Sequence, residues 1–224
     1  MAKTTSAIWK RKAEKLSDQE IAMAERRADR REAQEQKILS VAARLFWENG
    51  FLGTSIDEIA KKTNMNKASI YYYFENKAIL LYEVVTRPLQ GMIDAAVPIA
   101  NEKATALERL KVLVDTHIKY QLNHLGVTGI GHIERKNLPS DLAKEYVAMR
   151  DQYEMLFRKV ISEGIEKKEF HFADSKLGAL FTLGLLTSVI QWYKPKGRYS
   201  IEEVSSLACD YILAAILGTD KKMK

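Results

Sequence analysis

Residues 51–85 read FLGTSIDEIAKKTNMNKASIYYYFENKAILLYEVV. Ser55 stands just before an apolar face of Ile56, Ile59 and Ala60, with Asp57 and Glu58 in the first turn. A serine oxygen satisfies free N–H groups at a helix start, and acidic side chains favour the positive end of the helix dipole. A short helix therefore runs to about Thr63. Asn64 tolerates a left-handed turn, and Asn66 is placed to cap a second short helix, KASIYYYF. Two short helices joined by a tight turn form a helix-turn-helix. Lys77 opens the next helix, ENKAILLYEVV.

The tyrosine run Tyr71–Tyr73 is unusual for such a helix. With Ile70 set at zero and an advance of about 100° per residue, Phe74 falls at about 40°, Ala68 at about 160°, Tyr72 at about 200° and Ser69 at about 260°. Ile70 and Phe74 thus make the buried stripe, while Tyr72, Ser69 and Ala68 lie opposite. Tyr71 and Tyr73 flank both faces. Exposed tyrosines on a helix call for a partner, either the major groove of DNA or a protein surface. The preceding helix-turn, Asn66, Lys67 and Lys77 favour phosphate-bearing DNA.

Outward from this segment, AQEQKILSVAARLFWENG (33–50) is amphipathic, with Ile38, Leu39, Ala42, Leu45 and Phe46 on one face and Gly50 suited to a left-handed cap. Residues 1–34 are charged and weakly apolar, with a capping box at Ser17–Glu20. They read as a basic, partly helical arm, either a solvated tail or a strap along DNA phosphates. The chain has 224 residues, four prolines, one cysteine and a net charge of +6, and residues 1–37 hold 10 Lys and Arg against 7 Asp and Glu. That balance permits a nucleic-acid partner without demonstrating one. Cys209 excludes an internal disulfide and reads as a buried thiol rather than a redox sensor. The apolar runs are too short to span a bilayer and the N-terminus has no secretory h-region, so a cytoplasmic protein with no membrane partner is expected.

The order and spacing of Gly50, Thr54, Ser55, Ile56, Ile59, Ala60, Lys67, Ile70, Tyr71, Phe74 and Lys77 resemble the DNA-binding domain of the TetR family of bacterial transcriptional regulators, over about residues 36–85. The resemblance implies an all-α protein: an N-terminal three-helix helix-turn-helix domain (35–81), a C-terminal helical bundle for ligand binding and dimerisation (82–218) and a short tail (219–224). It implies phosphate contacts from Tyr71, Tyr73 and Lys77, base contacts from Lys67, Ala68, Ser69 and Tyr72, and an anchor at Ser55. The chain departs from the family at Asn64 and at Ala68, where glycine is usual; the methyl group of Ala68 lies on the groove-facing side.

In the second half, periodicity predicts helices over 77–95 with a kink or break at Pro88, over 104–126, over 140–170, over 174–193 and over 200–218. The glycine-rich stretch 126–140 reads as irregular. The helix at 174–193 is apolar on nearly every side, as a central core helix or a two-fold dimer interface would be. The family favours the interface, formed by Leu177, Leu180, Gly184, Ser188, Leu207, Tyr211 and Ala214. The region from GIEKKEF through QWYKPKGRYSIEEV is similar to the TetR branch controlling fatty-acid and steroid catabolism, which implies an acyl-CoA inducer. Met149, Tyr153, Phe157, Phe181, Trp192 and Tyr193 are the candidate ligand residues, although at helical spacing the same residues suit a core. Lys194, Lys196 and Arg198 offer charge for phosphates or solvated loop positions.

No residue pattern supports an enzyme. GVTGIG has the wrong spacing and setting for a dinucleotide loop, the four histidines show no metal-ligand pairing, and GxSxG is missing. No metal or cofactor is expected. The competing readings are a TetR-type repressor of an efflux or stress gene with another hydrophobic ligand, and a helical protein-interaction module that does not bind DNA.

Overall fold

The computed structural model describes residues 18–218, which fold into helices with no strand among them. The Ser17 cap, the start of the arm and the 219–224 tail lie outside the described residues. Helix α1 (Asp18–Gly53) is followed by α2 (Ile56–Thr63), α3 (Lys67–Tyr73) and α4 (Lys77–Ala100). The bundle adds α5 (Ala106–Asn123), α6 (Leu125–Thr128), α7 (Ile130–Glu134), α8 (Ser140–Glu166), α9 (Ser175–Trp192) and α10 (Ile201–Leu217).

Two apolar cores divide the chain. The first gathers Ile38, Ala42 and Phe46 of α1, Ile59 of α2, Ile70 and Phe74 around α3, and Leu80, Leu81 and Val84 of α4. The second gathers Met92 and Ile93 of α4 with Leu110 and Val114 of α5, Phe157 of α8, Ala179 and Leu186 of α9 and Ile212 of α10. Leu89 packs against both cores, so α4 belongs to each.

Three expectations change. The arm and the first amphipathic helix are one element: α1 runs unbroken from Asp18 until Gly50, where φ is 74° and ψ is 162°. This is a region of backbone space open to glycine, and it is not the left-handed helical cap that was expected. The turn is held by Thr54, whose buried hydroxyl donates to the carbonyls of Leu45 and Gly50. Second, α4 continues through Pro88 and through Pro98. Proline removes one backbone hydrogen bond, but Val84, Val85, Met92 and Ile93 on either side of Pro88 are buried, and that packing outweighs the local penalty. Third, residues 125–137 are short helical turns rather than irregular chain. Gly129 has a helical φ of −70° and is small because Trp47 and Ile190 lie against it. A side chain at Gly129 would collide with the Trp47 ring, and one at Gly131 with the Tyr146 hydroxyl.

The second core encloses a polar cluster on α5 and α8. His117 is buried, with Nδ1 3.0 Å from the Tyr153 hydroxyl and Nε2 2.9 Å from Gln121 Oε1. Gln121 Nε2 donates to the Leu186 carbonyl at 2.9 Å. Burial drives the His117 pKa down to about 4, opposed by its hydrogen bond to Gln121 and helped by nearby His132.

Gly50→Ala is expected to destabilise the protein by about 1–3 kcal/mol, because alanine is strained in that backbone region. Urea unfolding measures it, and an unchanged midpoint contradicts the assignment. His117 gives a pH dependence. Below about pH 6.5 the unfolded chain protonates this imidazole, while the folded protein leaves it neutral down to about pH 4. Stability contributed here is therefore intact above pH 6.5 and falls by up to about 3 kcal/mol as the pH drops to 4. The stability-versus-pH slope of wild type should exceed that of His117→Asn across this window, and parallel slopes would contradict the burial argument.

Candidate nucleic-acid interface and ligand cavity

The helix-turn-helix is built by three side-chain caps. Ser55 accepts from the Glu58 N–H at 3.1 Å and starts α2. Asn64 ends it with φ 57° and ψ 44°, the left-handed conformation its side chain tolerates. Asn66 then accepts from the Ser69 N–H at 2.7 Å and starts α3, and Asn76 starts α4 by accepting from the Ile79 N–H at 2.9 Å. Every turn of this unit is thus fixed by a polar residue within three positions of the helix it opens.

Ile70 is fully buried under α3 and Phe74 caps its end from an extended conformation, still buried. Tyr72 is 70% exposed and Tyr71 44% exposed. Tyr73 is different from the outward clamp expected of it. It is half-buried against the first core and meets the Tyr72 ring edge-on at 5.1 Å. Arg31 of α1 also lies over the Tyr72 ring, 5.7 Å from its centre. Tyr72 therefore contacts both a tyrosine ring and a guanidinium, and these contacts favour its exposed position.

The remaining candidates fall on or near the same surface. Lys67 and Ala68 are exposed, and the Lys67 amine sits 2.8 Å from Asp57, which raises its pKa. That pair is fully solvated and worth little, so a phosphate could replace Asp57 at small cost. Ser69 is half-buried, and its hydroxyl donates to Asn66 at 2.9 Å, so it supports the cap as well as facing outward. Lys77 is more enclosed than expected: its amine stands 4.3 Å from the centre of the Phe51 ring, and burial lowers its pKa with Glu134 opposing.

Arg31 also opens a chain of charges that ties the arm to α4. It bonds Glu35 at 3.1 Å, Glu35 bonds Arg87 at 3.1 Å, and Arg87 bonds Glu83 at 2.8 Å. Burial works against the Glu35 charge, but Arg87 and Arg31 prevail and hold its carboxyl below the usual range. This contact was not foreseen, because Arg31 and Arg87 are far apart in the chain and each looks like an ordinary solvated charge.

A cavity of about 640 Å³ opens among α4, α5, α8 and α9. Val85, Pro88, Leu89, Met92, Leu180 and Leu183 make apolar wall, while His117, Gln121 and Tyr153 make a polar patch on it. Exposed Arg150, Arg158 and Lys176 supply positive charge, with Asp151 and Glu154 among them. Of the six ligand candidates, Tyr153 alone is on this wall. Phe157 and Tyr193 are absorbed into the second core, Met149 packs against that core, and Phe181 and Trp192 point to solvent at 65% and 53% exposure. Helical spacing could not tell which face of each helix met the cavity. Lys194, Lys196 and Arg198 are exposed and likewise off the wall.

The α9 helix is not buried on most sides. Leu177, Leu180, Phe181, Gly184 and Ser188 form an exposed stripe along it, and Leu207, Tyr211 and Ala214 form another along α10. Leu180 and Gly184 border the cavity as well. No helix among the described residues is long and apolar enough to cross a membrane, and these residues hold no group of His, Cys, Asp and Glu arranged for a metal ion.

Comparison with known proteins agrees with this geometry. Residues 38–84 match the family model for bacterial regulatory proteins of the tetR family, and residues 103–216 match that for the tetracyclin repressor-like C-terminal domain. The probable HTH-type transcriptional regulator YttP of Bacillus subtilis is 33% identical over 139 residues, 60% of this chain and just under two thirds (66%) of that regulator. The fatty acid metabolism regulator protein of the same bacterium is 21% identical over 182 residues, 80% of this chain and 94% of its own length. The crystal structure of AibR in complex with isovaleryl coenzyme A and operator DNA shares the fold, with a TM-score of 0.73 at 22% identity over 83% of this chain and 100% of that one. This chain belongs to the TetR family and is a DNA-binding transcriptional regulator.

Proposed function

We propose that the protein is a homodimeric repressor released from its operator by an acyl-CoA thioester. The observation that carries this reading is the double use of α4. Its first turn, at Lys77, abuts the DNA-facing unit, and its middle, at Val85, Pro88, Leu89 and Met92, walls the cavity. A ligand that spreads this wall moves the helix on which α3 rests. The exposed stripes of α9 and α10 supply an apolar face for a two-fold mate, and such a dimer presents two α3 helices to successive major grooves about 34–36 Å apart. A ligand releases DNA only if it binds better to the conformation whose spacing no longer fits.

The division of roles on the DNA side is part of this proposal, and the exposure of Lys67, Ala68, Tyr71 and Tyr72 supports it. Tyr72, Lys67 and Ala68 face the bases, with Ser69 beside them. Tyr71 and Lys77 are assigned to the backbones and Ser55 to the start of α2, while the inward-turned Tyr73 supports the helix. The Arg31–Tyr72 contact supports a role for the arm, since it places a basic helix beside the recognition helix. For the ligand, an apolar cavity with arginine and lysine at its exposed edge suits a molecule with an acyl tail and phosphates. Two similar proteins point the same way, one named for fatty acid metabolism and one crystallised with isovaleryl coenzyme A.

Fluorescence anisotropy with DNA from upstream of the protein's own gene tests the reading. Salt-sensitive, sequence-specific binding that weakens at least tenfold with decanoyl-CoA is expected, and binding indifferent to sequence or to every acyl-CoA length tried would refute it. Tyr72→Ala should lower specific affinity by about 1–3 kcal/mol and leave non-specific affinity nearly unchanged. Equal losses on both DNAs would make Tyr72 a backbone contact.

A further inference from the structure

The polar patch inside the cavity has a fixed direction of hydrogen bonding. A backbone carbonyl only accepts, so the group that Gln121 turns toward the Leu186 carbonyl must be its NH2. The Gln121 carbonyl oxygen then faces His117 Nε2, which must carry a hydrogen. The imidazole is neutral, because burial strongly disfavours its charge, so Nδ1 is an acceptor. The Tyr153 hydroxyl, 3.0 Å away, therefore donates its only hydrogen to Nδ1. What remains on Tyr153 is an oxygen with lone pairs and no hydrogen to give.

A second acceptor stands on the same wall. Glu154 Oε1 is buried and has no hydrogen-bond partner among the described residues. Glu154 Oε1 leaves the wall one costly unsatisfied acceptor, and the Tyr153 oxygen, already bonded through its hydrogen, keeps a lone pair free for a donor. Position assigns the missing partner. Arg150, Arg158 and Lys176 are exposed at the edge and suit a charged headgroup, whereas Tyr153 and His117 are buried and meet whatever goes deep.

We propose that the cavity selects an acyl chain bearing a hydroxyl, whose O–H donates to the Tyr153 oxygen. This rests on the acyl-CoA reading above and specifies it. A saturated chain leaves the free lone pair of the Tyr153 oxygen unused. A keto group sets acceptor against acceptor, unless the Tyr153 hydroxyl turns away and orphans His117 Nδ1. The chain Leu186–Gln121–His117–Tyr153 therefore works as a filter on the oxidation level of the ligand's oxygen. His117 and Gln121 act through Tyr153 and are positioning residues.

Calorimetric titration of the full-length protein with decanoyl-CoA, its 3-hydroxy and 10-hydroxy derivatives and its 3-keto derivative tests the proposal. At least one hydroxylated chain should bind about tenfold more tightly than decanoyl-CoA, and the 3-keto chain should gain nothing, as one hydrogen bond is worth about that factor. Tyr153→Phe should collapse the preference. His117→Leu, checked for folding by its melting temperature, frees the Tyr153 hydrogen and should shift preference toward the keto chain. Equal binding of all four ligands to wild type overturns the proposal while leaving the acyl-CoA reading standing. So does a uniform loss for all four in Tyr153→Phe, which would place the donor in the pantetheine arm. If none of the four binds at millimolar concentration, the acyl-CoA reading itself fails and this proposal with it.

Discussion

Helix α4 is shared between two cores, and the rest of the molecule depends on that sharing. Its N-terminal half completes the packing beneath Ile70 and Phe74, and its C-terminal half is built into the bundle with α5 and α8. A helix transmits displacement along its axis because each turn is bonded to the next. Pro88 deletes one of those bonds at the cavity wall without breaking the element. The local softening and the cavity wall thus coincide at one residue. Tyr146 adds a second bridge, since it packs in the first core and also lines the cavity.

On the DNA side the physical problem is to expose aromatic rings without losing the helix that carries them. Seven residues make a helix too short to persist alone, so α3 relies on its Asn66 cap and on burial of Ile70. Tyr73 turns inward to add packing, which leaves Tyr71 and Tyr72 as the exposed pair. Arg31 then contacts the Tyr72 ring from α1. The three adjacent tyrosines are one supporting residue and two exposed ones. Ala68, at the start of the same helix, is exposed.

What could be read in advance was local. Ser55, Asn64 and Asn66 each act within a few residues, and a 100° wheel suffices to set Tyr72 opposite Ile70. What could not be read depends on packing at a distance. The cavity draws its wall from Val85 through Thr187, and nothing in the neighbourhood of His117 distinguishes it from a solvated histidine. Phe157 and Phe181 looked alike by spacing, yet one is wholly buried and the other faces solvent. Gly129 and Gly131 looked like loop punctuation, but they are small to admit Trp47 and Tyr146. The continuity of α4 through Pro88 is likewise a tertiary effect, in which buried neighbours override a local preference.

The central claim is that occupancy of the cavity changes the separation of two recognition helices through α4. Double electron–electron resonance on a spin-labelled dimer measures this directly, with the label at Glu75→Cys beside α3 and Cys209→Ser removing the native thiol. Operator DNA should select one narrow distance, and saturating acyl-CoA should move the distribution away from it and out of register with half-sites spaced about 34–36 Å apart. Distance distributions that superimpose with and without bound ligand would contradict the account.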